Sequence, residues 1–287
     1  MTRNASPKLV TVGDNCLDVY LTKDFMTVGG NALNVAVQWR RRGWPARYFG
    51  AVGNDPEGDI VLQEVTRFGL PAEDVERRPG GTAVTLLREE FGDRKFLLES
   101  FGVGENYMPA PKHYDEIAAA DWVHLGTNAN ADLLRRLVEE RIRFSIDVST
   151  AHLALPLTGV PLVFASGPEN EDEPVEPLLG ALRKAGAQQA VLTCGRRGAF
   201  FHDGDAIRHV AATPVDVLDT CGAGDSFIAS FVIALICEKR VATDALNRAT
   251  AAAAQTCLHI GGFPQEPRPI PGWLLTKYAD YIDRAEA

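Results

Sequence analysis

The chain has 287 residues, with 29 lysines and arginines against 38 aspartates and glutamates, so its formal net charge is −9. Hydrophobic residues make up 46% and charged residues 23% of the sequence, which is ordinary for a globular protein and allows one large α/β domain or two smaller ones. The acidic balance argues against a nucleic-acid partner, because phosphate backbones are bound by clustered lysine and arginine. A small anionic ligand in a local pocket is still compatible with this charge.

Secreted, membrane and zinc-binding proteins are also disfavoured. The N-terminus has no charged start followed by a long apolar core, so we expect no signal peptide. The longest apolar run, residues 227–237, is broken by Ser230 and is too short to cross a bilayer, so we expect no membrane partner. The five cysteines are widely spaced without a CxxC pair, which favours free thiols in a reducing cytoplasm. No GxxxxGK[ST] motif is present, which excludes a P-loop.

Strand-like and helix-like segments alternate along the chain, a pattern typical of βα units around a mostly parallel sheet. Apolar residues at helical spacing, closed by glycine or proline, define the helices. The predicted strands are 8–13, 47–52, 122–125, 144–148, 160–165, 190–194 and 215–218, and the predicted helices are 31–42, 56–68, 131–141, 223–238, 243–259 and 273–284.

Two segments interrupt this alternation. Residues 82–90 and 94–100 flank a Phe91-Gly92-Asp93 turn and predict a β-hairpin, and residues 17–25 form another short strand-like segment. Neither is followed by a crossover helix. We interpret them as a small accessory sheet that covers a site, with ordinary edge strands as the alternative. The prediction is therefore a single domain over residues 1–287, with a lid formed by about residues 15–28 and 80–102.

The segment with the most chemical information is residues 219–227, which read DTCGAGDSF and open an apolar helix. Its glycines allow a tight turn with exposed N–H groups, and the helix start adds the positive end of the helix dipole. Together they predict an anion hole that needs no lysine. Asp225, in the first turn, is placed to act as a general base on an attacking hydroxyl. The alternative is an ordinary helix start with a glycine turn and an acidic residue.

Polar residues after the first strand and at the next helix start predict a site for a hydroxyl-rich ligand, because ligands of parallel sheets gather at the carboxyl ends of strands. For Asp14 the structural alternative is a cap at the strand end, and for Asn34 it is helix-start chemistry. We favour ligand binding most for Asp18 and Gly30. The candidate residues are Asp14, Asp18, Gly29, Gly30, Asn31 and Asn34.

Four segments together resemble the signatures of the ribokinase-like (PfkB) carbohydrate kinase family. Residues 219–227 resemble the C-terminal signature, and residues 28–36 (VGGNALNVA) resemble the N-terminal signature. Residues 53–58 (GNDPEG) resemble the family's Gly-x-Asp-x-x-Gly segment, and residues 193–198 (TCGRRG) resemble its nucleotide loop. They occur in family order at family-like spacing, and the resemblance spans essentially the whole chain.

The resemblance implies a three-layer α/β/α sandwich with a small β-sheet lid, and ATP-dependent phosphorylation of a sugar hydroxyl with Mg²⁺. It implies that Asp225 is the catalytic base and that the N–H groups of Gly222, Ala223 and Gly224 form the anion hole, as the logic of phosphoryl transfer requires. A homodimer formed through the lid is a further expectation, and a monovalent-cation requirement is left open. The implied ATP contacts are Thr193, Gly195, Gly198, Gly222 and Gly224, and the implied sugar contacts include Asp18, Gly29, Gly30 and Asn34.

One departure from the family concerns the Asn-x-x-Glu motif that is tied to Mg²⁺ and phosphate. Aligning on the strand end places Ser166 and Glu169 at the motif, whereas aligning on the motif itself gives Asn170 and Glu173. We prefer Glu169, because strand ends place motifs better than free spacing does. Either carboxylate would act through water, since Mg²⁺ keeps several waters and uses few protein ligands. The alternative is an acidic helix start.

Within the family, residues 13–20 (GDNCLDVY), 29–37 and 164–168 resemble the bacterial fructoselysine 6-kinase subgroup, which also shares the serine at the departed motif. This implies phosphorylation of O6 of fructoselysine or a related fructosamine. A fructokinase- or ribokinase-like kinase of a free sugar is the first alternative. A catalytically idle sugar- or nucleotide-binding sensor on the same fold is the second, and the intact Asp225 and its glycines favour the kinase over it.

Overall fold

The structure of the protein, a computed structural model, describes residues 6–90 and 93–284. The strands are β1 (Leu9–Val12), β2 (Cys16–Tyr20), β3 (Phe25–Gly29), β4 (Ala46–Gly53), β5 (Val75–Arg78), β6 (Val84–Glu90), β7 (Asp93–Ser100), β8 (Trp122–Leu125), β9 (Phe144–Asp147), β10 (Leu162–Ser166), β11 (Ala190–Thr193), β12 (Ala199–His202), β13 (Ile207–Val210) and β14 (Arg268–Pro269). The helices are α1 (Asn31–Arg41), α2 (Pro56–Arg67), α3 (Pro111–Ala118), α4 (Ala131–Glu139), α5 (Glu176–Lys184), α6 (Ala223–Val232), α7 (Ala242–Thr256), α8 (Gly272–Lys277) and α9 (Ala279–Arg284).

A nine-stranded sheet in the order β13-β12-β11-β10-β9-β8-β1-β4-β5 forms the centre of the fold. Neighbouring strands are parallel from β5 through β11, and β12 and β13 add on antiparallel. Side chains alternate between its two faces: Val10 packs in a core with α3, α4 and α5, whereas Leu9 packs in a core with α1, α6 and α7. The predicted three-layer α/β/α arrangement is confirmed.

A second sheet, called here the small sheet, has the strand order β14-β3-β2-β6-β7. One face, which includes Leu17 and Val28, packs in a core with Leu33 of α1 and Val61 of α2. Tyr48 and Val52 of β4 belong to the same core. Its strands β2, β3, β6 and β7 fall within the two segments assigned to a lid, and β14 was not predicted. The predicted turn residues Phe91 and Gly92 lie outside the described residues.

The prediction of a strand at residues 215–218 is wrong. Val217 and Leu218 are both more than half exposed. The Leu218 N–H donates to the carbonyl of Cys257, just after α7 (2.8 Å), and within the described residues this segment joins neither sheet. The apolar residues of this segment are typical of a strand. Here, however, the chain crosses from the edge strand β13 toward the end of α7 and pairs with no strand of the described residues.

Several element boundaries also differ from those expected. The segment 17–25 is two strands, because a short 3₁₀ turn at Leu21–Lys23 reverses the chain. The predicted helix 223–238 ends as α-helix at Val232 and continues as a π-helical turn, Ile233–Cys237. The helix predicted at 273–284 is divided into α8 and α9. The edge strands β12 and β13 and the helices α3 and α5 were not predicted.

Helices α1 and α6 pack against each other along the central sheet. The fully buried Trp39 of α1 donates its indole N–H to the carbonyl of Ala229 in α6 (3.1 Å). Arg42, just after α1, donates to the hydroxyl of Ser226 (3.2 Å). These contacts fix the two helix starts, which carry most of the candidate site residues, relative to each other. No helix in the described part of the chain has the length and apolarity needed to cross a membrane.

We expect Trp39→Phe to lower the free energy of unfolding by about 1–3 kcal/mol, because it removes a buried hydrogen bond and leaves a void between α1 and α6. Urea unfolding followed by circular dichroism measures this. Trp273→Phe on α8 is the matched control, since that indole is 39% exposed and should change the stability little. Equal losses in the two variants would contradict the assigned role of Trp39.

Candidate active site

The carboxyl ends of the parallel strands β1, β8, β9, β10 and β11 meet at one edge of the central sheet. Asp14 follows β1, Asp147 ends β9 and Thr193 ends β11. The hydrogen bonds described next bring the starts of α1 and α6 to this edge. The topology therefore gathers at one place residues that are far apart in the sequence.

Asp225 is held by two amide side chains from α1. Its Oδ1 accepts a hydrogen bond from Asn31 Nδ2 and its Oδ2 accepts one from Asn34 Nδ2, each at 2.6 Å. Residues three apart share one helix face, which explains why both amides reach the same carboxylate. Asn31 Nδ2 also donates to Asp147 Oδ2 (2.8 Å), so one amide joins two carboxylates.

Burial gives these carboxyl groups an unusual proton affinity. It raises the pKa of Asp225 to about 7, with the negative charges of Asp147 and Asp14 acting in the same direction and the two amide hydrogen bonds opposing it. Burial likewise raises the pKa of Asp147 to about 6. A carboxyl group with a pKa near neutrality suits a general base, because it can accept a proton and release it again at working pH.

Asp14 acts as a cap for helix α1. Its Oδ2 accepts the backbone N–H of Asn31 (2.7 Å), and its Oδ1 accepts that of Ala32 (3.3 Å). Gly30, the residue before the helix, has φ +108° and no side chain with which to cap it, and a Cβ there would collide with Asn15. Asp14 therefore caps the start of a helix, whereas the structural alternative expected for it was a cap at the end of its strand, and its sugar contact stays a prediction.

The candidate sugar residues Asp18, Gly29 and Asn34 lie together where β2 and β3 of the small sheet approach the start of α1. A Cβ added at Gly29 would lie 2.8 Å from Asp18 Oδ2 and 3.7 Å from Asn34 Oδ1. Asn34 Oδ1 is buried and has no hydrogen-bond partner within the described residues, and the same is true of Thr27 Oγ1. Thr27 pairs in register with Asp18, a neighbour that the sequence did not indicate. These unpartnered polar atoms suit a ligand that carries hydroxyl groups.

The glycine loop before α6 is shaped by close backbone contacts. Gly222 has φ +71°, and a Cβ there would collide with Gly262. The N–H of Ala223 donates to the carbonyl of Thr220 (3.2 Å). The N–H of Gly224 lies in the first turn, where the helix itself offers no acceptor, and a Cβ added at this glycine would meet nothing within 4 Å. The loop thus has both an N–H donor and space for an anion.

Asp219 holds this loop in place. Its Oδ1 accepts the N–H of Cys221 and its Oδ2 accepts the N–H of Gly261, each at 2.9 Å. Asp219 is itself buried. The first residue of the signature is therefore a structural support for the predicted anion hole.

The predicted nucleotide loop follows β11. Gly198 has φ +90°, and a Cβ there would collide with the carbonyl of Val210, so the close approach of the chain to β13 already requires glycine. Gly195 also has a positive φ, +51°. Thr193 is half-buried at the end of β11. The contacts of these three residues with ATP stay a prediction.

Glu169 lies against this loop, since a Cβ added at Gly195 would be 2.8 Å from the Glu169 carboxyl carbon. For Glu173 the contact seen is through its backbone carbonyl, which accepts from Arg197 (2.9 Å). Within residues 6–90 and 93–284 no group of three or more His, Cys, Asp or Glu side chains could hold a metal ion. A single nearby carboxylate fits Mg²⁺, which is bound mainly by phosphate and water in such enzymes.

Besides Thr27, three polar residues of the site were missed from the sequence: Asp147, His124 and Ser145. His124 Nε2 lies 3.3 Å from Asn31 Oδ1, and His124 Nδ1 lies 3.0 Å from Ser145 Oγ. Asp147 could have been found, because it is a polar residue at the carboxyl end of a predicted strand. His124 and Ser145 are buried within strands and belong to no motif.

Comparison with known proteins identifies the family of this chain. The pfkB family carbohydrate kinase model matches residues 8–143 and 156–268. Fructosamine kinase FrlD of Bacillus subtilis (strain 168) is 32% identical over 265 residues, covering 89% of this chain and 93% of that protein. Fructoselysine 6-kinase of Escherichia coli (strain K12) is 33% identical over 260 residues, covering 89% of this chain and 99% of that protein.

Solved structures share the fold. The ribokinase of Arabidopsis thaliana complexed with ribose and ATP superposes with a TM-score of 0.79 at 19% identity, covering 91% of this chain and 96% of that one. A fructokinase of Vibrio cholerae O395 bound to fructose, ADP and potassium ion gives a TM-score of 0.74 at 19% identity, covering 91% and 95%. At this identity the likeness shows a ribokinase-like fold.

We expect Gly222→Ala to lower the free energy of unfolding by about 1–3 kcal/mol, because the new Cβ meets the backbone at Gly262 and the φ is positive. Gly224→Ala is the matched control in the same turn: it has open space and a helical backbone, so its stability should be unchanged or up to about 1 kcal/mol higher. Chemical unfolding of both variants measures the difference. A Gly222→Ala protein as stable as Gly224→Ala would contradict this account of the loop.

Proposed function

The chain belongs to the pfkB family of carbohydrate kinases, and on that premise we propose that it transfers the γ-phosphoryl group of ATP to a fructosamine, with O6 of fructoselysine as the acceptor. Its activity as a sugar kinase follows from the family. The observation that carries the proposed chemistry is the Asp225 carboxylate, gripped by Asn31 and Asn34 beside the glycine loop.

The choice of substrate is supported by sequence similarity over most of the chain and by particular segments within it. The fructosamine kinase and the fructoselysine 6-kinase named above match almost their whole lengths to this chain. The segments at residues 13–20 and 164–168, in which Asp14 and Ser166 occur, are those that resemble the fructoselysine subgroup. A free sugar such as fructose or ribose is the alternative acceptor.

In this proposal Asp225 removes the proton from the acceptor hydroxyl as its oxygen attacks the γ-phosphorus. The Asn31 and Asn34 amides keep the carboxylate in one orientation, which reduces the entropic cost of reaching the reactive geometry. Negative charge on the transferred group is stabilised by the N–H groups of Gly222 and Gly224 and by the helix dipole. The N–H of Ala223 already donates to the carbonyl of Thr220, so it can act on the transferred group only as a shared donor. The proton remains on Asp225 until the phosphorylated sugar and ADP leave.

The sugar and nucleotide would occupy opposite sides of this base. Asn34 Oδ1, Thr27 Oγ1 and Asp18 are placed to accept hydrogen bonds from sugar hydroxyls, while ATP would lie along the loop from Thr193 to Gly198. Mg²⁺, when bound with ATP, neutralises phosphate charge, and we assign Glu169 as the residue that holds it through water. A monovalent-cation requirement stays open.

We also propose that the small sheet covers the sugar as a lid and pairs with its counterpart in a homodimer. Its face opposite α1 and α2 carries Asp18 and Thr27, so it is in place to close over a bound sugar. Because the enzyme would draw on ATP, its expected location is the cytoplasm.

The substrate proposal predicts that, in a screen of ATP consumption over fructoselysine, fructose, ribose and nucleosides, fructoselysine gives the highest kcat/KM. The product phosphate should be located at O6 by ³¹P–¹H NMR. A kcat/KM for fructose far above that of every fructosamine would overturn the substrate assignment while leaving the kinase intact. Absence of phosphorylation of every compound would overturn the proposed function.

For the base, we expect Asp225→Asn to lower kcat by about 10²–10⁴-fold, because the acceptor hydroxyl loses its proton acceptor. ATP affinity, measured by calorimetry, should change little. In the wild type kcat/KM should fall as the pH drops through about 7, since Asp225 must be deprotonated to act. The control is Asp216→Asn, an exposed carboxylate that makes no contribution to the site. Turnover by Asp225→Asn within ten-fold of the wild type would remove the base assignment.

A further inference from the structure

A continuous chain of buried side chains lies beneath the base, and its members Trp122, Ser145, His124 and Asp147 have no role in the mechanism above. Trp122 Nε1 donates to Ser145 Oγ (3.1 Å), Ser145 Oγ contacts His124 Nδ1 (3.0 Å), and His124 Nε2 contacts Asn31 Oδ1 (3.3 Å). Asn31 Nδ2 then reaches both Asp147 and Asp225. The polar members Ser145 and His124 have no exposed surface.

The direction of every hydrogen bond in this chain is fixed from its two ends. An indole N–H can only donate, so Ser145 Oγ accepts from Trp122, and it gives its own proton to His124 Nδ1 when that nitrogen carries none. Ionised carboxylates can only accept, so the Asn31 NH₂ group faces Asp147 and Asp225 and its Oδ1 faces His124. His124 must therefore carry its proton on Nε2. Burial lowers the pKa of His124 to about 3, which keeps the ring neutral and in this single tautomer.

Among the described residues, the charged groups that act most strongly on Asp225 are carboxylates. Asp147 comes from the end of β9 and Asp14 from the segment after β1, and both raise the pKa of Asp225. Arg42, from the end of α1, contacts the neighbouring Ser226 hydroxyl. The proton affinity of the base is thus controlled by burial, by two like charges and by the orientation of the Asn31 and Asn34 amides.

We propose that Asp147, Asn31 and His124 are positioning residues for the base: His124 locks the Asn31 amide, and the locked amide binds Asp147 and Asp225 into one pair that exchanges protons as a unit. The inference rests on the proposed function, because it assigns these residues to the same base. An Asn31 amide that was free to flip would present its oxygen to Asp225 and repel the ionised form. Removing the charge of Asp147 would have the opposite effect and favour that form.

The first test is the pH dependence of kcat/KM for Asp147→Asn, using whichever sugar the wild type phosphorylates. The acid limb should move to lower pH by about one unit, because a like charge beside Asp225 has been removed. At pH 6 the kcat/KM of the variant, expressed as a fraction of its plateau value, would then be about five times the corresponding fraction of the wild type. An acid limb that coincides with that of the wild type overturns the coupling.

The second test uses a pair of variants at His124, so that the proposal can still be tested if Asp147→Asn folds poorly. His124→Phe keeps a ring but can neither donate nor accept, and we expect kcat to fall at least ten-fold, the KM for ATP to stay within two-fold, and the acid limb to move to higher pH. His124→Gln can donate to Asn31 and accept from Ser145, so it should restore most of kcat and return the limb toward the wild-type position. Failure of glutamine to rescue either quantity overturns the lock.

The matched control is His113→Phe. His113 is also buried, but it belongs to α3 on the other face of the central sheet and contacts Glu76 (3.1 Å). Its substitution should lower the unfolding temperature without moving the acid limb, so the same limb shift in both variants would show a general effect of destabilisation and overturn the proposal. If the wild type phosphorylates no compound, the proposed function fails; if it is active and the limbs do not move, only this inference fails.

Discussion

The site depends on the two hydrogen bonds by which α1 holds the Asp225 carboxylate. Two amides, three positions apart on one helix, hold the two oxygens of a single carboxylate at the start of another helix. That geometry requires the helices to be packed in one register, which the buried Trp39 and the central sheet supply. Without it Asp225 would be an isolated buried acid, which is costly to ionise and undirected.

Negative charge at the site of this protein is balanced by local contacts and not by a basic surface. In the proposed function, a chain with a net charge of −9 binds phosphate through backbone N–H groups at a helix start, so it needs no basic patch there. The acids of the site are buried close together, and each makes ionisation of its neighbours harder. Amide donors partly offset this cost, leaving a base with a pKa near the working pH.

Three of the motif glycines are required by close contacts of the backbone. Gly222 is required by the nearby backbone at Gly262, Gly198 by the carbonyl of Val210, and Gly30 by the turn at Asn15. Gly224 differs, because the space beside it is open. A motif glycine is therefore explained by packing in some positions and by room for a ligand in others, and only the structure distinguishes the two.

Hydrophobic periodicity, turn residues and the glycine–aspartate loop are properties of short stretches of chain. They were enough to predict the layered α/β fold and most strands and helices, and resemblance supplied the family. They also point to Asp225 as the base, which stays a prediction. Contacts between distant parts of the chain could not be predicted in this way. Asn31 and Asp225 are 194 positions apart. Their contact depends on the order of β1, β8 and β9 in the sheet and on the packing of α1 on α6. The same applies to Asp14, which caps a helix from another element, and to the buried His124. It also applies to residues 215–218, whose composition is typical of a strand but which have no strand beside them. The sequence by itself determined which chemistry the chain carries, while tertiary packing decided which atoms meet, because hydrogen bonds and burial depend on neighbours that local sequence does not specify.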